Sequence, residues 1–327
     1  MFYPHRLSHR SVATLLVALV AFIACVVVVS TTAGARGSTK AAIDSEAVGP
    51  QYDTTHVYVS PGSASAFVAS WENTFGGTNT APELTDVTPT PSETLSELVL
   101  SPVGTLSVFD YQTGVPYPFG QERSGDLVAS FPEGVADAVR SGASLIVSPW
   151  NDPIGKDAIV QFPGGVDMQL YWHTTPPSYA PLATIPESRV YLPPQAAYSF
   201  IRDYLAFSAG RIAYSNGHAD GAQIGLPGTT FREVLITSGF GNTLVLITDG
   251  HLPYPFGRET TGYAVADLSS TLTKAQASGA KVLWGPYYSS TVDSALLQFP
   301  GGYIAEVHQS VPTASAGQER GGRSRTP

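Results

Sequence analysis

The chain is written partly twice. Residues 116–165 open with PYPFGQERSG and close with AIVQFPGG; residues 253–302 open with PYPFGRETTG and close with ALLQFPGG. The copies align without a gap at an offset of 137, and 20 of the 50 positions are identical. A repeat constrains architecture before any local pattern does. Copies of this length make a duplicated domain rather than a solenoid. A chain of 327 residues has room for two domains with two separate cores.

Between the repeated motifs, short runs alternate between apolar and polar residues, the period of half-buried strands. Residues 55–59 (THVYV) read as a strand. A helix follows from Pro61 and Ser63, with Phe67, Val68, Trp71 and Phe75 on one face and Gly76-Gly77 as its stop. Strands are expected at 96–100, 105–109, 126–131, 144–147, 158–162 and 167–171, with a short helix over 133–141. The order is strand, helix, three strands, used twice. The second half repeats it from a strand at 190–192, through a helix at 195–207, to a last strand at 303–308. The expected domains are 54–173 and 189–310, joined by a linker at 174–188 with four prolines. Residues 311–327 read as a disordered tail.

The N-terminal 35 residues are of another kind. Arg6 and Arg10 precede a charge-free apolar run at 12–29, then small residues end in AGA. That pattern is expected for an export signal or an uncleaved membrane anchor, and both remain open. Either places the rest outside the cytoplasm, with the membrane touched only through this segment. Residues 36–53 read as a flexible spacer.

Composition narrows the chemistry. Without residues 1–35, 15 Lys and Arg face 26 Asp and Glu, a net charge of −11 that repels a phosphate backbone and excludes nucleic acid as a partner. The single cysteine, Cys25, lies in the apolar run, so the remainder has no disulfide, thiolate metal site or cysteine nucleophile. There is no GxSxG elbow, Walker loop or dinucleotide fingerprint.

Three features together resemble the vicinal oxygen chelate superfamily, which includes glyoxalase I, extradiol dioxygenases and bleomycin-resistance proteins. They are the paired βαβββ order, the PGG turn followed four residues later by an acid (Gly302 to Glu306), and YAVADLSSTLTKAQASGAKV at 263–282. The resemblance covers about 54–310. It implies an α+β fold of two tandem modules, each an open curved mixed sheet around a hollow. It also implies a small-molecule ligand or substrate, with lyase, isomerase or dioxygenase chemistry on an oxygenated metabolite. The alternative it leaves open is metal-free binding of a small molecule, as in bleomycin-resistance proteins. In its metal-using members it implies one divalent ion (Fe, Zn, Ni or Mn), held from the first strand, the strand opening the second unit, and the last strand.

Carried onto this chain, those positions give His56 and Gln169 in the first module and Glu306 in the second as candidate metal ligands. Arg189 replaces His56 in the second copy and cannot bind a cation. The middle position falls on Arg123 or Thr260, neither a good ligand, but Glu122 and Glu259 stand one residue earlier and are the candidate acid/base residues. Neither module carries the His, His, Glu set of an extradiol iron site. The two prolines of PYPFG make a stiff loop that cannot pair in a central strand. Tyr117, Phe119, Tyr254 and Phe256, with Arg189, are therefore candidates for lining a ligand pocket, or else for sealing the contact between the domains.

Overall fold

In the computed structural model the described residues are 45–49 and 51–311. The expected signal or anchor, the spacer up to residue 44 and the tail beyond 311 lie outside them. Among the described residues no helix is long and apolar enough to cross a membrane.

The first module runs β1 (Thr55–Tyr58), α1 (Ala64–Phe75), β2 (Thr78–Asn79), β3 (Glu83–Thr85), β4 (Thr94–Ser101) and β5 (Gly104–Tyr111). It continues with β6 (Ser124–Leu127), α2 (Phe131–Arg140), β7 (Ser144–Asn151), β8 (Gly155–Phe162) and β9 (Val166–His173). The second runs β10 (Glu187–Leu192), α3 (Pro194–Ser208), β11 (Arg211–Asp220), β12 (Thr230–Ser238) and β13 (Gly241–Ile247). It ends with β14 (Thr260–Ala264), α4 (Leu268–Ala277), β15 (Lys281–Tyr287), β16 (Val292–Gln298) and β17 (Ile304–Ser310).

The sheets have matching orders, β4-β5-β1-β6-β9-β8-β7 and β12-β13-β10-β14-β17-β16-β15, with β2 and β3 added at β4 and β11 at β12. In each, the two βαβββ units meet at an antiparallel central pair, β1 with β6 and β10 with β14. The fold is the α+β tandem arrangement that the sequence implies.

The helices form where the apolar spacing places them. Helix α1 stops at Gly76, which takes φ 80°, a left-handed conformation that suits glycine. Its N-terminus is held from outside the helix, since the Asp110 carboxylate accepts from the backbone N–H of Gly62 (3.0 Å) and Ala64 (3.2 Å). The strand expected at 126–131 is shorter in fact. Leu127 ends it, Ser130 caps α2, and Pro132 sits in the first helical turn, where its missing N–H costs nothing.

The expectation of two separate cores is overturned. The face of each sheet turned away from its hollow packs against the other module. One core joins Val57, Phe67, Trp71 and Val108 of the first module to Tyr263, Leu272, Phe299 and Tyr303 of the second. The other joins Val160, Phe162 and Leu170 to Phe200, Tyr204, Phe207 and Val245. Trp71 is fully buried, its ring centroid 4.9 Å from those of both Tyr263 and Phe299. Phe162 stands 5.7 Å from Tyr204. The repeated QFPGG motif thus has a structural job: its Phe, at 162 and 299, plugs the opposite module. The amphipathic pattern shows that these helix faces are buried, but not against which sheet.

Part of the stretch read as a flexible spacer is anchored. Ala47 bridges to Val128. The Gln51 side chain donates to the carbonyls of Val48 (2.7 Å) and Leu127 (3.0 Å) and accepts from the Leu127 N–H (2.7 Å).

Candidate functional site

Alternation along the strands builds the hollow of the first module. On β1 and just after it, Val57 and Val59 enter the shared core while His56 and Tyr58 face the other way; on β5, Leu106 and Val108 go inward while Ser107, Phe109 and Tyr111 do not. On β9, Met168 and Leu170 are core residues and Gln169 and Tyr171 line the hollow. The cavity they surround measures about 330 Å³, within the range of small-molecule sites. Register fixes the neighbours: His56 lies beside Ser107, Gly125 beside Gln169, and Asp157 opposite Tyr171. Gly125 is required there, since a Cβ on it would come within 2.6 Å of His56 Nε2.

Four of the candidates gather here: His56, Glu122, Gln169 and Phe119. Tyr58 donates its hydroxyl to Glu122 Oε1, and His56 Nδ1 stands 3.9 Å from the same oxygen. Glu122 Oε2 and His56 Nδ1 are buried without a hydrogen-bond partner. Burial, followed by the charge of Arg123, pushes His56 down to about 4, so its ring is neutral near pH 7. Burial pushes Glu122 up to about 7, against the hydrogen bond from Tyr58 and the charge of Arg123 and with that of Asp167. Burial also raises Asp157, helped by the charge of Asp152 and opposed by a hydrogen bond from Gln169 Nε2 (2.8 Å).

These donors do not fit a divalent metal. His56 and Glu122 converge, but Gln169 already donates to Asp157. The middle ligand position falls on Arg123, which is itself a cation, and the strand that follows it offers only Gly125 beside Gln169. Among the described residues no group of three or more His, Cys, Asp or Glu is placed to hold a metal ion.

The second module treats the same positions differently. Gly262 lies beside Glu306 as Gly125 lies beside Gln169. Arg189 Nη1 reaches Glu187 Oε1 at 2.8 Å and Glu306 Oε1 at 3.6 Å, and His308 Nδ1 meets Glu306 Oε2 at 2.7 Å. Burial would raise Glu306, but Arg189 and His308 hold it below the usual carboxylate value. Burial would lower His308, but Glu306 holds it above the usual value. Arg189 is therefore paired with Glu187 and, at longer range, with Glu306, which His308 also holds.

The remaining candidates separate. Glu259, the sequence counterpart of Glu122, is buried between the modules with Arg123 and Asp126, where burial pushes it up to about 8 against the pull of Arg123. Tyr117 and Tyr254 stand at the surface, 66 % and 62 % exposed. Tyr117 accepts from Gln161 Nε2 (2.9 Å), and Arg258 lies over the Tyr254 ring at 5.6 Å. The two Phe residues are used alike, Phe119 against Trp150 (5.8 Å) and Phe256 against Trp284 (5.2 Å).

Several lining residues escape the sequence reading. Tyr58 and Tyr171 follow His56 and Gln169 by two residues, so alternation alone identifies them. Asp157 depends on the β8–β9 register. Asp53 and Tyr179 come from segments outside the strands, with Tyr179 donating to Asp53 Oδ1 at 3.0 Å, and no periodicity marks them.

No family model and no curated protein matches the sequence. Solved structures do match. A triple mutant of 4-hydroxymandelate synthase from Streptomyces coelicolor aligns over 82 % of this chain and 95 % of its own, with a TM-score of 0.52 and 13 % identity. A fusion of a xylose isomerase-like TIM barrel with 4-hydroxyphenylpyruvate dioxygenase aligns over 84 % of this chain and 51 % of its own, with a TM-score of 0.49 and 11 % identity. The Mn(II)-bound glyoxalase from Novosphingobium aromaticivorans aligns over 80 % and 84 %, with a TM-score of 0.48 and 9 % identity. The first of these shows the fold alone, curled mixed sheets in two tandem modules.

Proposed function

We propose that this chain binds a small organic molecule in the hollow of the first module, and does so without a resident divalent metal. The observation that carries the reading is the cavity of about 330 Å³, whose wall includes Glu122 and His56, two residues with buried polar atoms that no protein group satisfies. A buried polar atom without a partner is costly, and a ligand is one way to supply the partner. The choice between chelate chemistry and metal-free binding goes to the second because the donor set has two converging members rather than three. On the pattern of residues 1–35 we also propose that binding takes place outside the cytoplasm.

A second reading has its own support. A carboxylate brought to about 7, with a tyrosine hydroxyl on one oxygen, suits a general base acting on an acidic C–H beside a carbonyl. In that reading Glu122 takes the proton and Tyr58 steadies the carboxylate. This chemistry would take place in the same hollow and needs no other site.

Ligand-observed NMR with a mixture of small planar aromatics tests the reading. The full chain is expected to bind members of the mixture, and Ser107→Phe, which fills the hollow from β5, is expected to lose them while keeping its circular dichroism. Equal binding by both proteins, or by neither, contradicts the proposal. Elemental analysis of the purified chain checks the metal separately; a stoichiometric divalent ion lost on His56→Ala contradicts the metal-free part.

A further inference from the structure

We infer that the ligand of the first hollow is an organic cation, an ammonium group carried on a small apolar or aromatic body. The inference rests on the reading that this hollow binds a small molecule, and adds the class of molecule.

The argument starts from charge. Six lining residues carry a carboxyl group (Asp53, Glu83, Glu97, Glu122, Asp152 and Asp157), and none is Lys or Arg. Three of the six are deeply buried: Glu122 is 0 % exposed, Asp157 3 % and Glu97 5 %. Buried carboxylates in folded proteins are ordinarily paired with a cation. Here the partners are neutral donors: the Tyr58 hydroxyl for Glu122, the Gln169 amide for Asp157 (2.8 Å) and the Asn79 amide for Glu97 (3.0 Å). Asp53 likewise accepts from the Ser107 hydroxyl at 2.7 Å. The neighbouring guanidinium, Arg123, does not line the hollow; it lies over the ring of Tyr58 at 5.9 Å, in the buried space between the modules with Glu259, and its charge acts on Glu122 from behind the wall.

A second observation concerns hydrogen bonding rather than charge, and includes a histidine. Glu122 Oε2 and His56 Nδ1, on residues 0 % and 4 % exposed, have no hydrogen-bond partner, and both residues line the cavity. The shape of the wall then selects among cations. Tyr58 stacks on Tyr111 with centroids 5.9 Å apart, Phe109 lies 5.4 Å from Tyr58, and Tyr171 and Tyr179 line the same space. Ring faces attract an ammonium and its methylene groups, and an apolar wall suits an organic body better than a hydrated metal ion. An anionic ligand would meet the six carboxyl groups with no positive side chain to hold it. The second module provides the contrast, since there Arg189 already supplies the cation.

Titration calorimetry on the full chain at constant pH and salt, with benzylamine, benzyl alcohol and benzoate, tests the inference. Benzylamine is expected to bind at least ~10-fold more tightly than the alcohol, and benzoate not measurably. Glu122→Gln and Asp157→Asn are expected to weaken the amine and leave the alcohol unchanged. Binding of the alcohol or benzoate as tightly as the amine overturns the ligand class while the hollow stands as a binding site. Failure of all three at millimolar concentration overturns the inference and the proposed function together.

Discussion

Where the first sheet places His56 beside Ser107, the second places Arg189 beside Leu244. Where the first has Gln169 on its last strand, the second has Glu306. Those exchanges give two related sheets opposite electrostatics. In the second, a buried guanidinium neutralises Glu187 and Glu306, and His308 closes the set. In the first, the carboxyl groups are met by hydroxyls and amides, and burial drives Glu122 and Asp157 upward. Duplication relaxes the demand on each copy. One face has its carboxylates paired with a cation of its own, and the other has carboxyl groups met only by hydroxyls and amides.

The comparison breaks most readily at Arg189. Arg189→Met leaves Glu187 without its cation and Glu306 with His308 alone, in a buried setting, and is expected to cost about 3–5 kcal/mol in chemical denaturation. His56→Ala at the matching position removes a neutral ring with no hydrogen bond to its Nδ1, and is expected to cost clearly less. Equal losses would mean that the two faces do not differ in charge pairing.

The next effect is in pH. Glu122 is brought to about 7 and Glu259 and Asp126 to about 8, all above their unfolded values. The folded chain therefore holds protons that the unfolded chain has lost. Their contribution is complete below about pH 4 and is lost as pH rises through 8. His56, lowered to about 4, works in the opposite direction, and its contribution is lost as pH falls from 6.5 to 4. Between pH 6.5 and 8 the carboxyl groups act together with His308, whose raised value is likewise lost as pH rises, so stability is expected to fall, by up to about 1.4 kcal/mol per pH unit for each group titrating. Glu122 is faced by Tyr58 and His56 from β1, Tyr111 from β5, Asp167 from β9, and by Arg123 and Glu259. Glu122→Gln is expected to flatten part of the fall and to raise stability at pH 8 by about 1–2 kcal/mol. A midpoint flat with pH would contradict this. The smallest effect belongs to the surface. Tyr254→Ala, at a ring 62 % exposed, is expected to change stability by no more than about 0.5 kcal/mol.

Much of this architecture is legible in the sequence, because duplication repeats its own punctuation. PYPFG and QFPGG fix the frame of each second unit, and the family resemblance then points to His56 and Gln169. The sequence does not show that the two cores are shared. Apolar spacing marks Phe67 and Trp71 as buried without saying that the neighbour is Phe299. Nor does it separate Glu122 from Glu259, which have the same motif but different surroundings, one on a cavity wall beside Tyr58 and the other between modules beside Arg123. The acidic character of the hollow also escapes a linear reading. Asp53, Glu97, Glu122 and Asp157 are far apart in sequence, and only strand pairing brings them together.

The central claim is that one face of this duplicated chain takes a ligand and the other has taken its own arginine. Calorimetric stoichiometry for benzylamine measures this directly, with Ser107→Phe and its register counterpart Leu244→Phe as the two blocks. One site per chain, lost in Ser107→Phe and kept in Leu244→Phe, is the expected result. Two sites per chain, or a single site that survives Ser107→Phe and disappears in Leu244→Phe, would contradict it.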